Sequence, residues 1–223
     1  MMMQKIKKIA LVCATWIGVL NATPAIWDGS ADISWYEPGA QAYNLTTAEQ
    51  LAGLAKLVNE GTSDFDGKTI ALGFDIFLND TAGIGDTSWY NISHTEWTPI
   101  GTKKNPFRGE FDALAGKNNR KIFGLYIKNG NDYAGFFGYT EHLKVSNLDL
   151  VAGSITAQNY VGAVAGYAIN AIITNVHSKV NVSGANCVGG LVGFSTGKLN
   201  ASSVESRVLG IDSVVMLCET HMQ

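Results

Sequence analysis

The chain has 223 residues, enough for one domain and marginal for two. With 46% hydrophobic and 16% charged residues and 25 glycines, it is too apolar for a disordered chain and too sparsely charged for a coiled coil. A formal net charge of −3 provides no basic field for phosphates, which argues against any nucleic-acid partner.

Residues 1–25 read as a secretory signal peptide. Lys5, Lys7 and Lys8 make a positive start, Ile9 to Leu20 a short apolar core, and Ala22 and Ala25 offer small residues for cleavage. The apolar run falls short of the ~20 residues needed to span a bilayer. An exported protein at the cell surface or outside the cell is therefore expected, with no transmembrane segment in the mature chain. Loss of the three lysines would leave a formal charge of roughly −6. Export permits a bridge between Cys187 and Cys218, but two cysteines make no disulfide framework.

An N-terminal cap over 26–64 follows, with one helix at about 47–59. Thr46 and Glu49 have the spacing of a capping box, and Leu51, Leu54, Ala55 and Val58 form one apolar stripe of period 3.6. Gly61 is placed to end the helix in a left-handed conformation. The stripe must be buried, and the β-structure that follows makes the helix a lid over its first layer.

Residues 65–206 read as stacked β-coils, with repeats at about 131–158, 159–185 and 186–206. Asn131-Asp-Tyr-Ala-Gly-Phe-Phe-Gly-Tyr139 aligns with Asn159-Tyr-Val-Gly-Ala-Val-Ala-Gly-Tyr167 and Asn186-Cys-Val-Gly-Gly-Leu-Val-Gly-Phe194. A unit of this length cannot bury its own apolar face and must stack on its neighbours. Phe136, Val164 and Leu191 are expected to point inward. The repeat glycines Gly135, Gly138, Gly166, Gly190 and Gly193 suit crowded corners, where positive φ is an advantage. Asn131, Asn159 and Asn186, and separately Asn147 and Asn175, suit side-chain ladders between coils. The same asparagines would also serve as turn residues without stacking. A two-sheet β-sandwich is the alternative architecture.

Gly190-Leu-Val-Gly193 is a literal Gly-Leu-x-Gly, and Gly135-Phe-Phe-Gly138 and Ala163-Val-Ala-Gly166 are degenerate copies. Together with Trp27-Asp-Gly-Ser30, Phe65-Asp-Gly-Lys-Thr-Ile70, Trp97-Thr-Pro-Ile-Gly101 and Phe107-Arg-Gly-Glu-Phe-Asp112, they give a chain that resembles the GLUG-motif proteins. These are secreted bacterial repeat proteins of the pectin-lyase-like, right-handed β-helix type. The resemblance implies an all-β, right-handed parallel β-helix and a surface or secreted module for adhesion or binding, to glycans or surface proteins, without catalysis. The rival readings are a β-helix polysaccharide lyase or hydrolase, and an accessory region of an extracellular peptidase. Two features depart from the family. Phe111-Asp-Ala-Leu-Ala-Gly116 stands where Phe-Asp-Gly-x-Gly is usual, and 207–223 forms an aberrant tail without repeat glycines. That tail is expected to be weakly packed, as in a truncated product.

Candidate chemistry is sparse. His94, His142, His177 and His221 show no metal-ligand spacing, so no metal, cofactor or catalytic residue is assigned. Asp64, Asp66, Asp75, Asp80 and Asp86, with Arg108, Asp112 and Arg120, are the acidic residues and cations from which a lyase or hydrolase would draw. Trp35-Tyr36 and Trp89-Tyr90 are aromatic pairs suited to stacking on sugars or partners, whereas Trp27 and Trp97 read as packing. The Asn-x-Ser/Thr triplets at Asn21, Asn44, Asn79, Asn91, Asn181 and Asn200 reflect turn composition.

Overall fold

The computed structural model describes residues 25–84, 89, 92–115 and 118–215. The signal-peptide reading, Tyr90, Asp86, Cys218 and His221 lie outside them. In chain order the elements are β1 (Ala42–Leu45), α1 (Ala48–Asn59), β2 (Thr69–Leu72), β3 (Ile76–Phe77), β4 (Glu110–Asp112), β5 (Leu114–Ala115) and β6 (Asn118–Lys128). There follow β7 (Phe137–Glu141), β8 (Lys144–Thr156), β9 (Asn159–Gly162), β10 (Ala165–Ser178), β11 (Asn181–Ser183) and β12 (Asn186–Gly189). The last are β13 (Val192–Asn200), β14 (Ser203–Val204), β15 (Val208–Leu209) and β16 (Asp212–Val215). Strands pair in parallel from coil to coil, and the chain winds about six turns of a right-handed β-helix. No helix among the described residues is long and apolar enough to cross a membrane.

The core is built from columns. Along the face β1-β2-β4-β8-β10-β13, register places Tyr43, Ile70, Phe111, Val145, Ile173 and Leu199 one above another. All but Leu199 are buried, and Leu199 packs on the cluster's edge. Phe136, Val164 and Leu191 are fully buried, as the repeat alignment predicts. Each buried side chain of this size contributes about 1.5–3 kcal/mol, and a coil shares its column with the coils above and below.

Gly138, Gly166 and Gly193 are stacked, bracketed by the pairs Phe137↔Ala165↔Val192 and Tyr139↔Tyr167↔Phe194. Their role differs from the expected one. None of the five repeat glycines has positive φ. A Cβ on Gly166 would come within 2.5 Å of the Tyr133 carbonyl carbon, and one on Gly138 within 2.4 Å of the Gly101 oxygen. These glycines permit close approach of backbones. The left-handed corners are instead taken by side-chain-bearing residues in columns, such as Tyr133, Tyr160 and Cys187, or Asn147, Asn175 and Ala201. β8 and β10 therefore run 13 and 14 residues and turn corners without breaking.

Both asparagine ladders form, one of them displaced by a residue. Asn175 Nδ2 donates to Asn147 Oδ1 at 2.8 Å, as expected. In the other, Asn159 Nδ2 donates to Asp132 Oδ1 and Asn186 Nδ2 to Asn159 Oδ1, each at 2.7 Å. Asp132 rather than Asn131 is the third rung, because this coil holds one residue fewer between the corner and Phe137 than the next two hold before Ala165 and Val192.

The helix matches its expected span and buries Leu51, Leu54, Ala55 and Val58, and Gly61 has φ +78°. Its cap lies one residue later than Thr46. Thr47 is the N-cap and accepts from the Gln50 backbone N–H, while Gln50 Oε1 accepts from the Thr46 backbone N–H. Gln50 thus fills the reciprocal role expected of Glu49. The cap is also not separate from the solenoid. β1 precedes α1 and pairs with β2, so the coils start at Ala42 rather than 65, and α1 is the crossover of the first coil. At the other end β15 pairs with β11 and β16 with β12, so backbone pairing continues as far as Val215, while Leu209 and Ile211 remain exposed.

Candidate functional site

Of the aromatic pairs singled out in the sequence, Trp35, Tyr36 and Trp89 pack against the protein itself. Trp89 is fully buried, donates its indole N–H to the Asp80 carbonyl at 2.8 Å, and lies 4.0 Å from the His94 ring. It offers no face to a ligand, which removes it as a binding platform. Trp35 and Tyr36 are partly buried in a cluster with Tyr43 and Phe65 that seals the first coil, with Trp35 Nε1 donating to the Asp32 carbonyl. Trp27 and Trp97 pack edge to face, as expected. Asn79, a sequon residue, is buried with its amide bonded to Thr95 and Gly124.

Among the described residues, the acidic side chains named above do not gather into one cluster. Asp64 and Glu141 both bind Arg108, at 2.8 and 2.6 Å. Asp66 lies near this pair, with its backbone N–H on Asp64. Asp80 caps the Ala82 N–H, Asp112 accepts from Asn147, and Arg120 donates to the Gly73 carbonyl. Among the described residues no group of three His, Cys, Asp or Glu could hold a metal ion.

An aromatic ladder lies away from the tryptophan-containing pairs that stand out in the sequence. Tyr139, Tyr167 and Phe194 stack at 4.9 and 4.5 Å, and Tyr133 stacks on Tyr160 at 5.2 Å beside them. The signal was present, since Tyr139, Tyr167 and Phe194 close the three aligned repeats. Burial raises the pKa of Tyr139 and Tyr167 above the ordinary tyrosine value, reinforced by neighbouring tyrosines and Glu141. Neighbouring rings occupy one another's faces, so the ladder presents mainly edges and hydroxyls and gives a sugar little flat surface.

The strongest site is polar. The outer faces of β3, β6, β8, β10 and β14 align Lys121, Asp149, His177 and Ser203 in one register column, with Asp75 ahead of it. Asp75 Oδ1 accepts from the Lys121 backbone N–H at 3.0 Å. Asn119 and Asn175 run alongside. Asn119 Nδ2 donates to Asp149 Oδ1 at 2.8 Å, and Asn175 Nδ2 donates to Asn119 Oδ1 at 2.9 Å. Asp75, Asn118, Asn119, Arg120, Lys121, Asp149, Asn175 and His177 line an open groove of about 740 Å³. Donors and acceptors recur along it at the ~4.8 Å spacing of parallel strands. Such a surface can hydrogen-bond an extended polar chain lying along the solenoid axis. His142 lies on a different face, beside Asn170.

Compared with known proteins, the chain matches no family model, no curated protein and no solved structure.

Proposed function

We propose that this β-helix is an exported module for adhesion or binding that engages extracellular glycan through the polar groove of Lys121, Asp149 and His177. One observation carries the reading: successive coils present their polar side chains in a single column, a built repeat of donors and acceptors rather than scattered surface charge. Hydroxyl-rich polymers offer matching partners at short intervals, and the mixed charges of Asp75, Arg120, Lys121 and Asp149 suit neutral chains better than strongly acidic ones. The resemblance to secreted GLUG-motif repeats points to the same compartment and role.

The test is retention of the mature protein on insoluble neutral and acidic polysaccharides, with released sugars measured in parallel. Binding to a neutral polymer without chain cleavage, lost in the Lys121→Ala/Asp149→Ala double variant and kept in Trp35→Ala, is the expected result. Cleavage of the polymer abolished by Asp75→Asn or Asp80→Asn would instead establish the lyase or hydrolase reading.

A further inference from the structure

A chain of hydrogen bonds beside the groove has its direction fixed from one end. Asp112 and Asp149 as carboxylates only accept, so Asn147 and Asn119, bonded to them at 2.7 and 2.8 Å, must present Nδ2 to them. Both then turn Oδ1 toward Asn175, which donates to each from Nδ2 at 2.8 and 2.9 Å. Asn175 is left with Oδ1 facing His177 Nε2 at 3.2 Å, which makes Nε2 the protonated nitrogen. In neutral His177, Nδ1 is therefore an acceptor, and it lies 2.7 Å from Ser203 Oγ. The serine proton points at the imidazole, leaving the oxygen lone pairs free for attack. All three residues are half-buried at the groove's edge, not sealed in the core.

We infer that Ser203 is a reactive serine nucleophile, with His177 as its general base and Asn175 as the residue that fixes the imidazole tautomer. The arrangement has the order nucleophile, base and orienting group that activates a hydroxyl. In the reaction, Ser203 Oγ bonds to the carbonyl carbon of an ester while its proton passes to His177 Nδ1. The ester C–O bond breaks, and the departing alcohol takes that proton. Water, deprotonated by the same nitrogen, then releases the acid and restores the serine. Ser203 sits on a two-residue strand and not at a helix N-terminus, so no helix dipole supports the oxyanion and activated esters are the expected substrates. The polar groove alongside favours an ester of a hydroxyl-rich alcohol. That choice of alcohol rests on the glycan reading, whereas the reactivity of Ser203 does not.

The experiment uses a tagged fluorophosphonate with the mature protein and no glycan present, followed by peptide mapping. The P–O bond to Ser203 replaces P–F, fluoride leaves, and His177 takes the proton. Labelling confined to Ser203, absent in Ser203→Ala and slowed about 100-fold in His177→Ala, is expected, in line with the usual contribution of a general base. Absence of label, label spread over Ser202 and other hydroxyls, or an unchanged rate in His177→Ala would overturn it. Should His177→Ala fail to fold, the wild-type imidazole decides the matter by ¹⁵N NMR. An Nε2–H tautomer that is lost in Asn175→Leu supports the relay, and an Nδ1–H tautomer refutes it.

Discussion

Arg108 and Glu141, 33 residues apart in the chain, meet side on, with Nη2 at 2.6 Å and Nε at 3.1 Å from one carboxylate oxygen. The remaining arm of the guanidinium reaches Asp64 at 2.8 Å, so a single side chain ties the loop after α1 to the coil that begins at β7. Exposed ion pairs contribute about 0–1 kcal/mol each. Arg108→Met is therefore expected to lower stability by about 1 kcal/mol, a fall of roughly 2–4 °C in Tm for a domain of this size. Thermal denaturation at neutral pH and low salt measures it, and high salt should shrink the difference.

Asp64 makes the same contact sensitive to acid. Burial alone would raise its pKa, but the Asp66 backbone N–H and Arg108 outweigh that and hold it below the ordinary 3.8. A carboxylate lowered in the folded state stabilises above its unfolded pKa, and that contribution disappears as pH falls through the folded value. Unfolding free energies below pH 5 should therefore drop less steeply in Asp64→Asn than in the parent. Parallel slopes for the two proteins would count against the assignment.

Gly166→Ala is expected to be among the most damaging single-methyl changes, at about 3 kcal/mol, because its Cβ would meet backbone atoms of Tyr133 and Ala134 that cannot move singly. Gly130→Ala is the matched control. Its Cβ would meet nothing within 4 Å, so a change within about 0.5 kcal/mol is expected. Urea unfolding of both variants separates crowding from the general cost of replacing glycine.

Tyr167 is held between Tyr139 and Phe194, so Tyr167→Ala loses two stacking pairs, about 0.5–1.5 kcal/mol each beyond the buried area. The raised pKa values of Tyr139 and Tyr167 predict a further effect. A tyrosine raised in the folded state stabilises below its unfolded pKa near 10, and that contribution is lost as pH climbs through the higher folded value. Ultraviolet titration should show a late-ionising fraction of tyrosines that Phe substitution at 139 and 167 removes.

Deleting residues 211–223 should lower Tm measurably, since β16 supplies a partner strand for β12. Unchanged melting would mean that this strand adds nothing to the coil beneath it.

The legible parts of the fold are those where stacking imposes the same residue in every coil. Gly166 and Gly193 meet equivalent backbone, at Tyr133–Ala134 and Tyr160–Val161, and Gly138 is crowded by the Gly101 oxygen, so no side chain fits at any of the three and the period could be read from them. The Asp132 rung was missed because a ladder accepts Asp or Asn alike, and identity matching chose the neighbouring Asn131. The polar column was hidden for a related reason. Lys121, Asp149, His177 and Ser203 share a register position but no chemistry, so only the strand pairing unites them. Trp89 misled because adjacency of aromatic residues does not reveal which side of the chain faces the core.

Coil-to-coil bonds span 28 residues from His142 to Asn170, 27 from Asp132 to Asn159 and 26 from His177 to Ser203, yet the strands stay aligned. The corners absorb the difference, so the winding behaves like a tape whose slack is stored at its folds. Gene-level insertions or losses of one residue at such a fold, for example at exposed Gly130-Asn131, would leave both neighbouring faces in place. Whole coils would then be free to duplicate and diverge in length while each new copy still finds its groove position, which gives evolution a route to lengthening the polar face one rung at a time.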